Sequence, residues 1–432
     1  MSLIYITGHR NPDLDSVCSA YAYSVLKNQI DKDNKYIPVR CGHLSKSTRS
    51  ILERIDFDIP VYKKDINPKV KDVLLVSDEK IDADMPLNVL AASYKESNPS
   101  VVPIFDDKKF LGLLSIDDIT LWLMNELSVK GNIDKVPIIR DIMREADPAV
   151  DAEEFFEDAK VRLLQSGKRG LAVFDDKGFA GYVTRRCFLR APRHNVILVD
   201  HNEPGQSIRG IETANIVEII DHHRLNALKT DLPIYIDSEP LGSTCTIVYQ
   251  QFVRHNVVPD CITAKILLTG IIGDTLILKS PTTTAVDCAS AKALAKICDL
   301  NLEEYGIDMF SHMEGLKTRE PETAINSDFK VYEEKGIKIG IGQCEVTTLR
   351  DVDEYSEIYI NALESVRGKS NLDWAVLMIT DVLREHSILL TTNHKANRNL
   401  QYRSIGELIY DMPGVMSRKK QLLPEVLHAV SV

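Results

Sequence analysis

Eight residues, Gly8-His9-Arg10-Asn11-Pro12-Asp13-Leu14-Asp15, constrain what this chain can become more than any other stretch. They follow Leu3-Ile4-Tyr5-Ile6, a short continuous apolar run that reads as a strand buried on both faces. Beyond Asp15, Val17, Ala20, Tyr21 and Leu26 recur at near-helical spacing, which predicts a helix starting close to Asp13. A histidine and two carboxylates therefore fall where a parallel strand hands over to a helix, the edge at which open α/β sheets bind ligands. Helix capping accounts for one of the carboxylates. It does not account for His9, Asp13 and Asp15 together, because two acids this close repel unless a cation lies between them. A metal site needs further ligands from elsewhere in the chain.

At 432 residues the chain is too long for one ordinary core and predicts two to four domains. A hydrophobic content of 44% with 27% charged residues is that of a globular protein. No apolar run approaches the ~18 residues of a membrane span. With no basic segment ahead of the first strand, we expect no signal peptide and no membrane association. A net charge of −11 argues against a nucleic-acid partner. The eight cysteines are scattered without a Cys-x-x-Cys pair, so no disulfide framework is expected and the compartment reads as a reducing cytoplasm.

Apolar strand-like runs ending in polar ligands recur later. Val196-Ile197-Leu198-Val199 ends in Asp200, Ile216-Val217-Glu218-Ile219-Ile220 ends in Asp221-His222-His223, and Asp274 lies inside the apolar helical run around Ala264–Leu276. Burying Asp200 or Asp274 alone is expensive. One shared site resolves all three cases: His9, Asp13, Asp15, Asp200, His222 and Asp274, at the carboxyl edge of a doubly wound parallel sheet. Four carboxylates and two imidazoles suit two divalent cations, with Mn²⁺ or Co²⁺ fitting mixed O and N ligation better than Mg²⁺. Two metals ~3.5–4 Å apart are a standard device for hydrolysing phosphorus esters and anhydrides.

Between the first strand pair and Val196 lies an internal duplication. Val102–Ser115 recurs as Leu171–Thr184, with Phe105 matching Phe174, Gly112 matching Gly181 and Ser115 matching Thr184, each 69 residues apart. Asp-Asp-Lys at each tip predicts a tight hairpin. The repeated units resemble tandem CBS domains, regulatory modules that bind adenine nucleotides. By that resemblance Ser115 and Asp118 would meet phosphate and ribose. The second repeat keeps Thr184 but carries Cys187 in place of the acid. A purely structural or dimerising insert is the alternative.

The ordered set His9-x-x-x-Asp13-x-Asp15, Asp200, Asp221-His222-His223 and Asp274 resembles the DHH phosphoesterase superfamily. The resemblance implies that His9, Asp13 and Asp274 hold one metal, Asp15 and His222 the other, with Asp200 bridging. His223 would face the substrate and Asp221 would orient the site. After residue 310 a second α/β segment ends in Val415-Met416-Ser417-Arg418-Lys419-Lys420-Gln421. Read by charge alone, that run is a solvated tail. It also resembles the C-terminal DHHA2-type domain of family II inorganic pyrophosphatases, in which Arg418, Lys419 and Lys330 would bind phosphates.

The expected architecture is thus α/β: a doubly wound DHH catalytic domain (1–65 and 193–310), an inserted α+β CBS pair (66–130 and 131–192), and a DHHA2-type substrate-binding domain (311–432). The resemblance implies a cytoplasmic homodimer that hydrolyses Mg²⁺-pyrophosphate to two phosphates. The attacking water would be activated by bridging Mn²⁺ or Co²⁺, and AMP, ADP or ATP would regulate turnover. Competing readings are a short-chain exopolyphosphatase and a catalytically inactive nucleotide sensor. A nuclease fits less well, since the chain lacks a Gly-Gly-Gly-His motif.

Overall fold

The computed structural model describes residues 2–77, 81–133, 135–143, 149–226, 230–311, 316–346, 348–382 and 384–431. The chain forms two compact units: Met1–Ile66 joined with Asn195–Val432, and Asn67–His194.

The first unit is built on a six-stranded sheet in which every neighbouring pair is parallel. The order is Tyr235–Ser238, Asn215–Asp221, Asn195–Val199, Ser2–Thr7, Asn34–Arg40, Val61–Tyr62. Its central strands read as continuous apolar runs because both faces are covered. Ile4, Ile6, Ile197 and Val199 pack into one core, while Tyr5, Val196 and Leu198 pack into another. The first core lies beneath the helices Leu14–Ile30, Thr244–Arg254 and Cys261–Thr275. The second face departs from the expected helical layer: Ile208, Ile211 and Ala214 cover it from a connection that contains only 3₁₀ turns among its described residues. With fifteen residues between Val199 and Asn215, that crossover must stay close to the sheet. Strand order reverses between Ser2–Thr7 and Asn195–Val199, and this is where an open α/β sheet leaves a crevice.

The C-terminal part of this unit carries a mixed six-stranded sheet in the order Phe329–Glu334, Ile337–Val346, Trp374–Asp381, His386–Thr391, Ile409–Pro413, Arg403–Gly406. Its one parallel pair, Ile337–Val346 with Trp374–Asp381, is joined by the helix Val352–Lys369. The strand Trp374–Asp381 is buried along its whole length.

In the second unit the sequence duplication is also a structural one. Ile81–Asp82 pairs parallel with Val101–Asp106, which pairs antiparallel with Lys109–Ser115. Ala149–Asp151, Gly170–Asp175 and Gly178–Thr184 repeat that order, with the register shift at the equivalent place. The equivalent rings Phe110 and Phe179 stack at 3.9 Å and 9°. Phe105 and Phe174 pack edge-on around them, so the two halves share an aromatic seam. The repeats differ after the hairpin: the first continues into the helix Ile116–Lys130, the second into the 3₁₀ turn Arg185–Phe188.

Two glycines let helices pack closely in the first unit. A Cβ on Gly270 would lie 2.3 Å from Cys245 Sγ and 3.2 Å from Asp15 Oδ1, and one on Gly273 would touch Leu14. Gly270→Ala is expected to destabilise the protein by ~1–3 kcal/mol through overpacking. Urea or thermal melts check this, and an unchanged transition would mean that the helices can separate freely.

Candidate metal centre

The centre begins where the first strand ends. The His9 amide donates to Ser16 Oγ at 3.0 Å, and a side chain at Gly8 would collide with that hydroxyl. Asp13 caps the following helix, its Oδ1 accepting from the Ser16 amide at 2.9 Å. That leaves Asp13 Oδ2 for His9, whose Nε2 lies 3.3 Å away. Asp15, in the first turn of the helix, is buried and accepts from three donors. Ser243 Oγ (2.6 Å) and the Cys245 amide (2.9 Å) reach Oδ1, and the Thr244 amide (2.6 Å) reaches Oδ2.

Asp200 follows the central strand with a left-handed backbone, φ +60°. For a residue other than glycine this conformation costs about 1–3 kcal/mol and persists only where its surroundings enforce it. Its amide is held by Ile220 O at 2.9 Å. The carboxylate spans the crevice, with Oδ2 3.3 Å from His9 Nε2 and Oδ1 3.5 Å from His222 Nε2. His222 donates through Nδ1 to Leu241 O at 3.0 Å, so its Nε2 carries the lone pair. That Nε2 lies 3.2 Å from Asp274 Oδ2.

Ligand atoms within 4.8 Å of one another fall into three sets: His9, Asp13 and Asp200; Asp15, His222 and Asp274; and Asp200, His222 and His223. All six expected ligands therefore converge, and Asp200 belongs to two sets. One expectation is corrected. Asp274 groups with Asp15 and His222 rather than with His9 and Asp13, because the helix Cys261–Thr275 lies against Leu14–Ile30 on the Asp15 side.

The donor chemistry fits cations. Asp200 Oδ2 and His222 Nε2 are buried and have no hydrogen-bond partner among the described residues. Burial pushes the Asp200 carboxyl well above the usual carboxylate range, and Asp15 and Asp13 push it further. Asp274 is raised likewise by burial and then by Asp15, Asp13 and Asp200. Such a cluster is relieved by positive charge placed between its members.

Around the ligands, Asp221 is fully buried and accepts from the backbone and Nδ1 of His223, both at 3.0 Å. Asn202 Nδ2 donates to its other oxygen at 2.6 Å. Burial, opposed by Asp221, brings the His223 imidazole down to about 3, so it is neutral at pH 7.

The cations of the C-terminal part meet this centre within the same compact unit. The run Arg418–Leu422 is a π-helical turn, not a solvated tail. Arg418 is buried, and its guanidinium donates to Asp328 O (2.6 Å) and pairs with Asp328 Oδ1 (2.8 Å). Lys419 is close enough to act on both His223 and Asp274. Burial depresses the Lys330 ammonium, and Lys419 and Arg418 depress it further. In the second unit, Ser115 and Asp118 form a helix capping box, with Ser115 Oγ donating to Asp118 Oδ2 at 2.6 Å. Thr184 and Cys187 occupy the equivalent positions, with the Thr184 amide 3.3 Å from Cys187 Sγ.

Sequence reasoning missed the Ser243–Cys245 donors, although an apolar run opening with Gly-Ser-Thr is a signal for an anion-holding helix start. It also missed Glu345, a carboxyl set among Asp328, Arg319, Asp13 and Arg418.

Residues 3–273 match the DHH family N-terminal domain, and residues 307–429 match the DHHA2 domain. The chain is 27% identical to a cobalt-dependent inorganic pyrophosphatase of Clostridium perfringens, across 99% of this chain and 98% of that one. It is 35% identical to the manganese-dependent inorganic pyrophosphatase of Bacillus subtilis, across 55% of this chain and 78% of the relative. A crystal structure from Methanococcus jannaschii, assigned to the family II inorganic pyrophosphatases, superposes with a TM-score of 0.61 at 23% identity, over 99% of this chain and all of that one. Fold and ligand set together define a DHH-family hydrolase that carries a DHHA2 domain. Within that class the chain belongs to the family of the manganese-dependent inorganic pyrophosphatases and is an enzyme of the phosphoric anhydride hydrolase type.

Burial, then Asp328, opposed by Arg319, lifts the Glu345 carboxyl to about 7. A raised folded value means that stability is fully present below the unfolded value near 4.3 and is lost as pH rises through about 7. The metal-free Glu345→Gln protein is therefore expected to lack this decline. Melting points from pH 4.5 to 8 check it, and parallel curves for the two proteins would contradict it.

Proposed function

We propose that this chain hydrolyses Mg²⁺-pyrophosphate to two phosphates with two Mn²⁺ or Co²⁺ ions. His9, Asp13 and Asp200 would hold one ion; Asp15, His222 and Asp274 would hold the other, with Asp200 shared. The observation that carries the reading is the pair of buried atoms Asp200 Oδ2 and His222 Nε2, without a hydrogen-bond partner among the described residues, within a ring of four carboxylates and opposite three cations. When bound, the two ions would acidify a water molecule and draw charge from the phosphoryl oxygens.

The protein's own groups supply the rest. Lys330, Arg418 and Lys419 would neutralise the polyanionic substrate and the departing phosphate. Asp328 fixes the Arg418 guanidinium in orientation, so it meets phosphate without first ordering a flexible side chain. Asp221 fixes His223 through Nδ1 and leaves the Nε2 lone pair for the substrate side. Residues 311–432 thus act as the substrate-binding part and the parallel sheet as the metal-binding part.

We further read the inserted repeats as an adenine-nucleotide module that modulates turnover, with Ser115, Asp118 and Thr184 as contacts. The matching sheet order and shared aromatic seam of the two repeats support this. A cytoplasmic homodimer belongs to the same reading.

Phosphate release from pyrophosphate and from tripolyphosphate, with Mn²⁺ or Co²⁺ plus Mg²⁺, tests the whole. Faster turnover of pyrophosphate is expected, and a preference for tripolyphosphate would move the assignment to an exopolyphosphatase. Asp200→Asn is expected to lower turnover by more than about 100-fold. AMP, ADP or ATP should change the wild-type rate, and Asp118→Ala should blunt that response. A rate indifferent to all three nucleotides would leave the insert a structural one.

A further inference from the structure

Asp287 hydrogen-bonds to none of the six ligands, yet it is fully buried and no cation pairs with it among the described residues. It sits at the third position of the helix Ala285–Ile297, where Oδ2 accepts from the Thr284 amide and hydroxyl, both at 2.7 Å. That much is a capping box. Two further bonds are tertiary. The Gly242 amide donates to Oδ2 at 2.9 Å, and Thr246 Oγ1 donates to Oδ1 at 2.6 Å.

Gly242 and Thr246 bracket the three residues that hold Asp15. Between them lie Ser243, Thr244 and Cys245; the Ser243 hydroxyl and the Thr244 and Cys245 amides supply the hydrogen bonds to the Asp15 carboxylate among the described residues. Thr244 Oγ1 also donates to Asp200 Oδ1 at 3.1 Å, the oxygen on the His222 side. A Cβ at Gly242 would come within 2.9 Å of Asp287 Oδ2, so the segment lies directly on that carboxylate. Ser243 and Thr244 are themselves fully buried, so no solvent replaces a lost bond cheaply.

We propose that Asp287 is a positioning residue for the Asp15–His222–Asp274 half of the metal centre. It clamps both ends of the segment 242–246, so that the three donors keep the Asp15 carboxylate fixed. The His9–Asp13–Asp200 half takes its orientation mainly from the Asp13 cap and the Ile220 carbonyl, and meets this segment through the Thr244 hydroxyl on Asp200 Oδ1, the oxygen on the His222 side. Loss of the clamp should therefore weaken one ion and largely spare the other. This inference rests on the two-metal reading above.

The test is Mn²⁺ titration of chelator-stripped full-length protein, by calorimetry or by the spin-resonance signal of free Mn²⁺. Wild type should bind two ions per chain. Asp287→Asn should keep one at wild-type affinity and bind the second about 10–100-fold more weakly, the usual cost of losing an outer-sphere partner. Thr246→Val removes a single clamp bond and should show the same one-sided loss, while Thr246→Ser should restore both ions. If Asp287→Asn does not fold, the two Thr246 variants decide the matter alone. Folded variants that bind both ions as wild type does, or that weaken both equally, would overturn the proposal. A wild-type protein that binds no Mn²⁺ would instead bring down the two-metal reading itself.

Discussion

Mutual repulsion among Asp13, Asp15, Asp200 and Asp274 is the constraint on which the rest of this molecule depends. Ligand oxygens within 4.8 Å of one another, at the effective dielectric of a protein site, repel by about 3 kcal/mol per pair. Two such pairs consume much of the ~5–15 kcal/mol by which a domain is stable. The fold places backbone amides, hydroxyls and imidazoles around these groups, and those donors reduce the repulsion without removing it. The raised carboxyls of Asp200 and Asp274 record what is left. Positive charge between the oxygens would remove the remainder, so the ions of the proposed reading would serve the structure as well as the chemistry.

Geometry at the sheet edge follows from that demand. Successive side chains along a strand point to opposite faces, so a regular strand end gives a carboxylate little choice of direction. The left-handed turn at Asp200 swings its carboxylate between His9 and His222, and the Ile220 carbonyl holds the turn in place. Gly270 and Gly273 let a second helix lie on the first closely enough for Asp274 to arrive from the opposite side. Strain at one residue and missing side chains at two others are local costs, offset by a centre whose ligands are already arranged.

The parts legible in the sequence are those governed by short-range rules. Buried parallel strands read as continuous apolar runs, so Leu3–Ile6, Val196–Val199 and Ile216–Ile220 announce both themselves and the polar residues at their ends. The duplication was visible because a constant offset survives sequence drift, and Phe110 and Phe179 do meet. The side of the centre on which Asp274 falls was not legible, because it depends on how two helices cross. No spacing rule links Gly242 to a carboxylate 45 residues further on, so the clamp at Asp287 emerges only from tertiary packing. Asp200 reads as a strand-end acid, but nothing in Val199-Asp200-His201 signals a positive φ.

The C-terminal cations present the converse electrostatic problem. Burial, and then Lys419 and Arg418, depress the Lys330 ammonium, so this cluster too is unfavourable by itself. It is held by neutral groups: Gln343 accepts from the Arg418 amide and donates to Met416 O, and Gln421 Oε1 accepts from the Met416 and Ser417 amides. A charge run alone would have stayed solvated; these amide clamps and Asp328 make it a fixed surface. Each cluster is unfavourable by itself and favourable toward the other. A polyanion lying between them would repel the ring of carboxylates unless metal ions had reversed its sign. On the two-metal reading proposed above, the two halves would bind one substrate together only once the metal half is loaded, an order of assembly set by charge.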